Sequence, residues 1–394
     1  MQIVALFKKY VALLFIHLFN FLPIQNNKIF CFSYYGSQYG CNPKYITEYI
    51  RAHYPDGYFD IVWAFNNPKS KQQLTGFRKV NTMSLRCFYE LCTSKVIITN
   101  YRTTDLFVKR KEQYYVQTWH SSLRLKQIEM DAIDSLPDQY IQMAQRDSEK
   151  CDLLLSGCES SSFIFKRSFW YEGAMFEHGT PRNDVFFNSS LMIKDSIKKT
   201  IGIPVDARIV LYAPTFRKNN DIEIYHLPFD TILKSLKERF GGNWVCLVKL
   251  HPHLMGESNK LHFSSNVKDV TYYDDIQELL AASDVLISDY SSLLFDFSIT
   301  SRPCFQYIPD VESYIKNDRK LYFDIQQLPF LKAKTHPELL EKIDSYKKEE
   351  YERSLAEFLS KIGTFENGNA CKKLVDHLHK ICFEQKGSSY HEAV

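Results

Sequence analysis

Short apolar runs rich in Val, Ile, Phe and Tyr alternate along the chain with longer stretches in which apolar residues recur every three to four positions. The short runs predict strands at Ile29–Ser33, Ile61–Phe65, Val96–Thr99, Tyr114–Thr118, Leu153–Ser156 and Ala174–His178. A second series follows at Arg208–Tyr212, Trp244–Lys249, Val270–Tyr272, Val285–Ser288 and Cys304–Tyr307. Helical periodicity marks Lys44–His53, Leu85–Cys92, Asp230–Phe240, Asp275–Ala282 and Pro337–Phe358. Strands separated by helices imply βαβ units and parallel sheets. The polar run from Asn188 to Asp206 divides the series in two, so the expected architecture is α/β, with two doubly wound domains facing a cleft. After Phe365, the stretch "ENGNACKKLVDHLHKI" reads as a further amphipathic helix with Asn369 as its N-cap.

With 394 residues the chain is long for one core, and its 45% hydrophobic content is enough for two or more. A net charge of +3 gives no bulk electrostatic case for nucleic acid. There are no repeats or low-complexity tracts. The ten cysteines lack any Cys-x-x-Cys spacing, and several lie in apolar runs, which fits reduced, mostly buried thiols.

The amino terminus departs from this ordinary composition. Lys8, Lys9, Lys28 and Lys44 all precede the first carboxylate, Glu48, and "VALLFIHLFNFLPI" lies among them. That run is shorter than the ~20 residues a spanning helix needs. No small-residue cleavage site follows it, since Phe21, Leu22 and Pro23 are bulky. Residues 1–24 therefore read either as a helix lying on an anionic membrane surface or as a first helix packed into the core.

In open parallel sheets, ligands bind outside the carboxyl ends of the strands. Five stretches at such ends carry unusual chemistry. In "VLISDYSSLLFDF", Ser291 and Ser292 open a helix and Asp296 lies one turn on, an arrangement that either caps the helix or holds a phosphate. In "VCLVKLHPH", Lys249 and His251 follow a strand as a cationic pair suited to anionic oxygens. His251 and His253 have no carboxylate or cysteine cluster beside them, which leaves a metal reading weak. In "MFEHGTPRNDVF" a tight loop presents Arg182, either to phosphate oxygens or to Asp184 on the surface. "IVLYAPTFRKNN" places Pro214, Thr215 and Arg217 after a strand. In "VQTWHSSLR" a histidine, His120, ends an apolar run; a lone histidine there is more often structural than catalytic.

Taken in order, Trp119-His120, "GTPRND", "LYAPTFR", "KLHP" and "SDYSSLLFD" resemble the CDP-glycerol glycerophosphotransferase family of teichoic-acid and capsule polymer transferases, over roughly residues 28 to 380. The resemblance implies a glycosyltransferase-B-like pair of Rossmann-type domains acting at the cytoplasmic membrane face. It implies an acceptor domain at 25–190, a CDP-alcohol-binding domain at 205–362, and a helix at 366–384 that packs back on the first. By the same resemblance His120 matches the general base and His251 the second catalytic histidine. Arg182, Pro214, Thr215, Lys249, Ser291, Ser292 and Asp296 match donor contacts, and Ser121, Ser122 and Arg124 form the acceptor-side loop.

The implied partners are a CDP-alcohol donor, a lipid-linked or polymeric glycan acceptor and an anionic membrane surface, with no metal or other cofactor. An imidazole with the ordinary pKa of ~6.5 would give the rate a rising limb near pH 6 to 7. CDP-ribitol is the alternative donor, and a sugar-nucleotide glycosyltransferase or a catalytically dead binding protein are alternative readings. Two departures from the family pattern stand out. Ser121-Ser122-Leu123 replaces Gly-Thr-Pro, and Lys249 stands where arginine is frequent. The chain also carries no large extra amino-terminal domain, which points to addition of one or a few units.

Overall fold

The computed structural model describes residues 2–188, 190–217, 223–251, 254, 263–317 and 320–384, with side chains from residue 6 onward apart from 190, 223 and 317. Its strands are β1 (Gln25–Phe32), β2 (Asp60–Phe65), β3 (Arg78–Asn81), β4 (Ser94–Thr99), β5 (Tyr114–Gln117), β6 (Leu153–Leu155) and β7 (Ala174–Phe176) in the first half. The second half holds β8 (Arg208–Ala213), β9 (Trp244–Val248), β10 (Val267–Asp269), β11 (Val285–Ser288), β12 (Cys304–Tyr307) and β13 (Leu331–Ala333). The first sheet runs β3-β2-β1-β4-β5-β6-β7 and the second β10-β9-β8-β11-β12-β13, every pairing parallel. Strand order reverses between β1 and β4 in one sheet and between β8 and β11 in the other, and at such points crevices open.

Several boundaries differ from the periodicity. The strand expected at Val270–Tyr272 lies earlier, at β10, because the Asp269 carboxylate accepts from the Thr271 amide and turns the chain. The single helix expected over Pro337–Phe358 is two, His336–Asp344 and Lys348–Ile362. The polar divider contains a helix, Ser190–Ile201, that packs against Ile276–Ala282 of the second half. Asn369 does occupy the N-cap of the Ala370–Phe383 helix, yet its side chain makes no cap bond there. Asp184 caps that helix instead, accepting from the amides of Ala370 (3.1 Å) and Cys371 (2.7 Å). This helix buries Leu374, Val375 and Leu378 against Ile29, Ile61 and Val96 of the first sheet. All ten cysteines are free thiols, nine of them buried.

The first helix, Gln2–Phe19, has two apolar faces. One sets Ala12 and Ile16 against Phe88 and Cys92 of the Leu85–Thr93 helix, with Lys9 paired to Asp105 at 2.8 Å. The other leaves Leu6, Phe7, Tyr10, Leu14 and Leu18 more than half exposed. No described helix is long and apolar enough to cross a membrane.

The halves meet through buried charge and short bridges. Lys44 pairs with Asp275 at 2.6 Å and also with Glu278. Lys126 bridges Leu321, and Cys158 bridges Thr364, both antiparallel.

Candidate active site

On the first sheet, β5 delivers the chain to Trp119, whose φ of +50° turns it sharply. A residue with a Cβ is rarely left-handed, and such strain collects at functional sites. The turn places the His120 ring between Trp119 (centroids 4.6 Å apart) and Tyr101 (5.2 Å, 11° between planes). Its Nδ1 lies 3.2 Å from the Asn100 carbonyl oxygen. A carbonyl only accepts, so Nδ1 carries the proton and Nε2 keeps a free lone pair. Burial, then the Arg182 guanidinium and, more weakly, Arg124, push the imidazole down to about 3, against the raising effect of Asn100. The ring is therefore neutral throughout the neutral range, and the limb expected near pH 6 to 7 does not belong to the unliganded protein.

The serines that replace glycine and threonine after His120 are both buried. Ser122 crosses to the second half, donating its amide (3.1 Å) and hydroxyl (2.6 Å) to the Asp296 carboxylate. Arg124 is buried, with its guanidinium 4.0 Å from the Phe165 ring centre. Its Nε and Nη1 have no hydrogen-bond partner among the described residues.

Asp296 is fully buried and also takes Arg182 as its ion-pair partner and an Asn183 amide at 3.2 Å. Arg182 thus pairs with neither a surface Asp184 nor open solvent. It joins the two halves, and its Nε is the atom left without a described partner. Asn183 further accepts from Gln277 at 2.6 Å and donates to Glu366 at 3.2 Å. Glu366, held also by the Thr180 hydroxyl at 2.7 Å, is pushed up to about 8 by burial. Asn183 lies within the "GTPRND" motif without a role assigned to it there, and Gln277 and Glu366 are not among the site residues expected from the sequence.

On the second sheet, the loops after β8 and β11 lie at the reversal of strand order. The Thr215 amide donates to the Asp289 carboxylate at 2.9 Å, while its hydroxyl lacks a described partner. Asp289 and Asp310 hold Arg217 at 2.9 and 2.7 Å, which fixes this loop beneath the site. Pro214 is buried; Ser291 and Ser292 are half-buried. The Ser291 hydroxyl accepts from the Leu293 amide at 3.3 Å, and Ser292 makes no cap bond. The helix they open, Leu293–Ser298, has six residues, so its dipole is small and the hydroxyls matter more than the helix end.

Lys249 and His251, expected as a cationic pair, stand in different surroundings, the first buried and the second exposed. Burial pushes the Lys249 amine down to about 8, and it donates to the carbonyls of Thr271 (2.5 Å) and Tyr273 (2.7 Å). His251 is exposed, 5.7 Å from the Phe216 ring. Pro252 and His253 lie outside the described residues. Among the described residues no three His, Cys, Asp or Glu side chains group as metal ligands.

Two parallel sheets with reversed strand order, joined so that loops at their strand ends touch, give the chain a glycosyltransferase-B-like architecture. Residues 14–380 match the family model described as CDP-glycerol:poly(glycerophosphate) glycerophosphotransferase, and the chain belongs to that family. Its activity is therefore glycerophosphate transfer from CDP-glycerol.

A teichoic acid poly(glycerol phosphate) polymerase of Bacillus spizizenii is 31% identical over 90% of this chain and 92% of its own length. A polymerase of the same name from Bacillus subtilis is also 31% identical, but this chain spans only 49% of it. A teichoic acid glycerol-phosphate transferase of Staphylococcus aureus is 28% identical over 90% of this chain and 93% of itself. A solved structure of the wall teichoic acid polymerase TagF superposes with a TM-score of 0.85 at 28% identity, covering 98% of this chain and 96% of that one.

Proposed function

We propose that this chain transfers glycerol phosphate to a hydroxyl of a lipid-linked or polymeric acceptor in teichoic-acid-type synthesis, with His120 as general base. The carrying observation is the fixed tautomer: the Asn100 carbonyl holds Nδ1–H, which leaves Nε2 to accept. The acceptor hydroxyl gives its proton to Nε2 while its oxygen bonds to the glycerol-bearing phosphorus. The bond from that phosphorus to the bridging oxygen breaks, and CMP leaves with the electron pair. The hydroxyls of Thr215, Ser291 and Ser292 are the groups we assign to the donor's phosphates, with His251 at the leaving group. Lys249 serves the donor indirectly, by holding the backbone at Thr271 and Tyr273. The step is proposed to need no protein-bound metal.

We further propose that the exposed face of Gln2–Phe19 rests on an anionic membrane, its apolar stripe in the interface and Lys8 toward the headgroups.

Purified protein with membrane lipid and either CDP-glycerol or CDP-ribitol tests the reading by CMP release and product mass. A product heavier by one glycerol phosphate, with His120→Asn slower by about 10²–10⁴ at unchanged donor affinity, supports it. Ribitol phosphate addition alone, or a His120→Asn variant within a few-fold of wild type, refutes it.

A further inference from the structure

The first sheet has its own reversal of strand order, between β1 and β4, and apart from the Asn100 carbonyl the loops leaving those strands hold residues to which no role has been given above. After β1 come Tyr34, Tyr35 and Gly36; after β4 come Asn100 and Tyr101. Tyr35 stacks obliquely on Tyr101 with centroids 4.7 Å apart, Tyr34 meets Tyr101 at 5.5 Å, and Tyr101 lies nearly parallel to His120 at 5.2 Å. An unbroken row of rings thus runs Tyr35–Tyr101–His120–Trp119. Asn100 ties the row together, accepting from the Tyr34 amide at 3.0 Å and from His120. The Asn100 side-chain Nδ2 is buried without a hydrogen-bond partner among the described residues.

The backbone under this row is strained. Tyr34 and Tyr35 have φ of +47° and +52°, a region where a tyrosine pays a steric penalty that glycine avoids. Core packing does not offset that penalty at Tyr35, because its side chain is 46% exposed. Gly36, also left-handed, has no alternative: a Cβ there would meet Thr82 Cγ2 at 2.4 Å. An exposed ring held at a disfavoured position, beside the base and in a sheet crevice, is shaped to meet a ligand.

Resting on the assignment of His120 as base, we propose that Tyr35, braced from behind by Tyr101, forms an acceptor platform that stacks on the apolar face of a saccharide ring. A pyranose presents a flat patch of C–H groups to an aromatic face and hydroxyls at its edge, one of which would reach Nε2 of His120. A glycerol phosphate chain has no such patch, only flexible C–O bonds and charged phosphates. The platform therefore selects an acceptor whose attacking hydroxyl sits on or next to a sugar over a bare polyol phosphate chain.

The test compares CMP release from CDP-glycerol with two probes, an alkyl disaccharide and a glycerol phosphate oligomer of matched length. Tyr35→Gly removes the ring and relieves the left-handed strain, so it folds at least as stably as wild type. It is expected to raise KM for the disaccharide about tenfold, the effect of one lost aromatic contact, with kcat within threefold. KM for the oligomer and the Kd for CDP-glycerol should stay within twofold, and Tyr35→Phe should behave as wild type. An equal rise for both acceptors, no rise, a loss of CDP-glycerol affinity, or wild-type turnover of the oligomer alone would overturn the platform. Wild-type protein that releases no CMP with either probe would count against the functional reading itself. In that event disaccharide binding to wild type and Tyr35→Gly, followed by saturation-transfer NMR, decides the platform independently, with undiminished binding to the variant refuting it.

Discussion

Asp296→Ala separates a joint between the two halves from a ligand contact. The carboxylate takes two hydrogen bonds from Ser122 and one from Asn183, and balances Arg182, which is only 2% exposed. Removing it strands the guanidinium in a buried place, where a broken pair costs about 3–5 kcal/mol. Arg182 keeps a weak contact to Cys41 Sγ at 3.5 Å, so the lower end of that range is expected. The lost hydrogen bonds, ~1 kcal/mol each, overlap with this effect and do not simply add. For a unit of roughly 200 residues, ~2–4 °C per kcal/mol gives a melting transition lower by about 6–15 °C in scanning calorimetry. Asp296→Leu combined with Arg182→Met removes both charges and should recover most of that loss, giving a coupling energy of ~2 kcal/mol or more. CMP release should stay low in the double variant, because Ser122, two residues beyond His120, has lost its anchor. If Asp296→Ala melts within 2 °C of wild type and only CDP-glycerol affinity falls, the joint does not exist and the carboxylate is a donor contact.

Ser291→Ala with Ser292→Ala should weaken CDP-glycerol binding by calorimetry, each hydrogen bond to a charged phosphate contributing about 1.5–3 kcal/mol; unchanged affinity returns both serines to local turn chemistry. With His120 held at about 3, kcat/KM for CDP-glycerol should show no His120 limb between pH 5 and 8, whereas kcat should show one nearer neutrality, raised by the bound pyrophosphate; the same limb near 6.5 in both profiles would contradict this. Its folded pKa lies below the unfolded ~6.5, so the unfolded chain takes up the proton first as pH falls. Wild type should accordingly lose stability relative to His120→Asn between pH 7 and 4. Replacing Phe7, Leu14 and Leu18 by serine should abolish flotation with anionic vesicles while leaving the melting temperature within a few degrees, since these side chains are exposed; retained flotation would exclude this face.

Strand and helix types were legible where both faces of a strand are buried, as in β11 and β12, whose limits coincide with their apolar runs. The edge strands β3 and β13 were not, because Arg78, Lys79 and Lys332 sit on half-exposed positions and dilute the pattern. Motif resemblance located the loops, but it could not say which side chains face a ligand. Arg182 and Asp296 look in sequence like separate donor contacts 114 residues apart, and folding pairs them with each other. The Tyr35–Tyr101 contact left no trace, since it depends on left-handed backbone at tyrosine, which residue preferences argue against.

The helix Ala370–Phe383 closes the core of the first sheet, although that sheet's last strand ends at Phe176. During synthesis the apolar face made by Ile29, Ile61 and Val96 must therefore wait for roughly two hundred further residues before Leu374 and Leu378 cover it. At ~5–20 residues per second that wait is about 10–40 s, far longer than the microseconds in which a chain collapses. The second half, whose core draws chiefly on its own contiguous residues, can complete itself in the interval. The half made first is thus the half finished last, and its uncovered sheet is the surface on which a ribosome-bound chaperone would act.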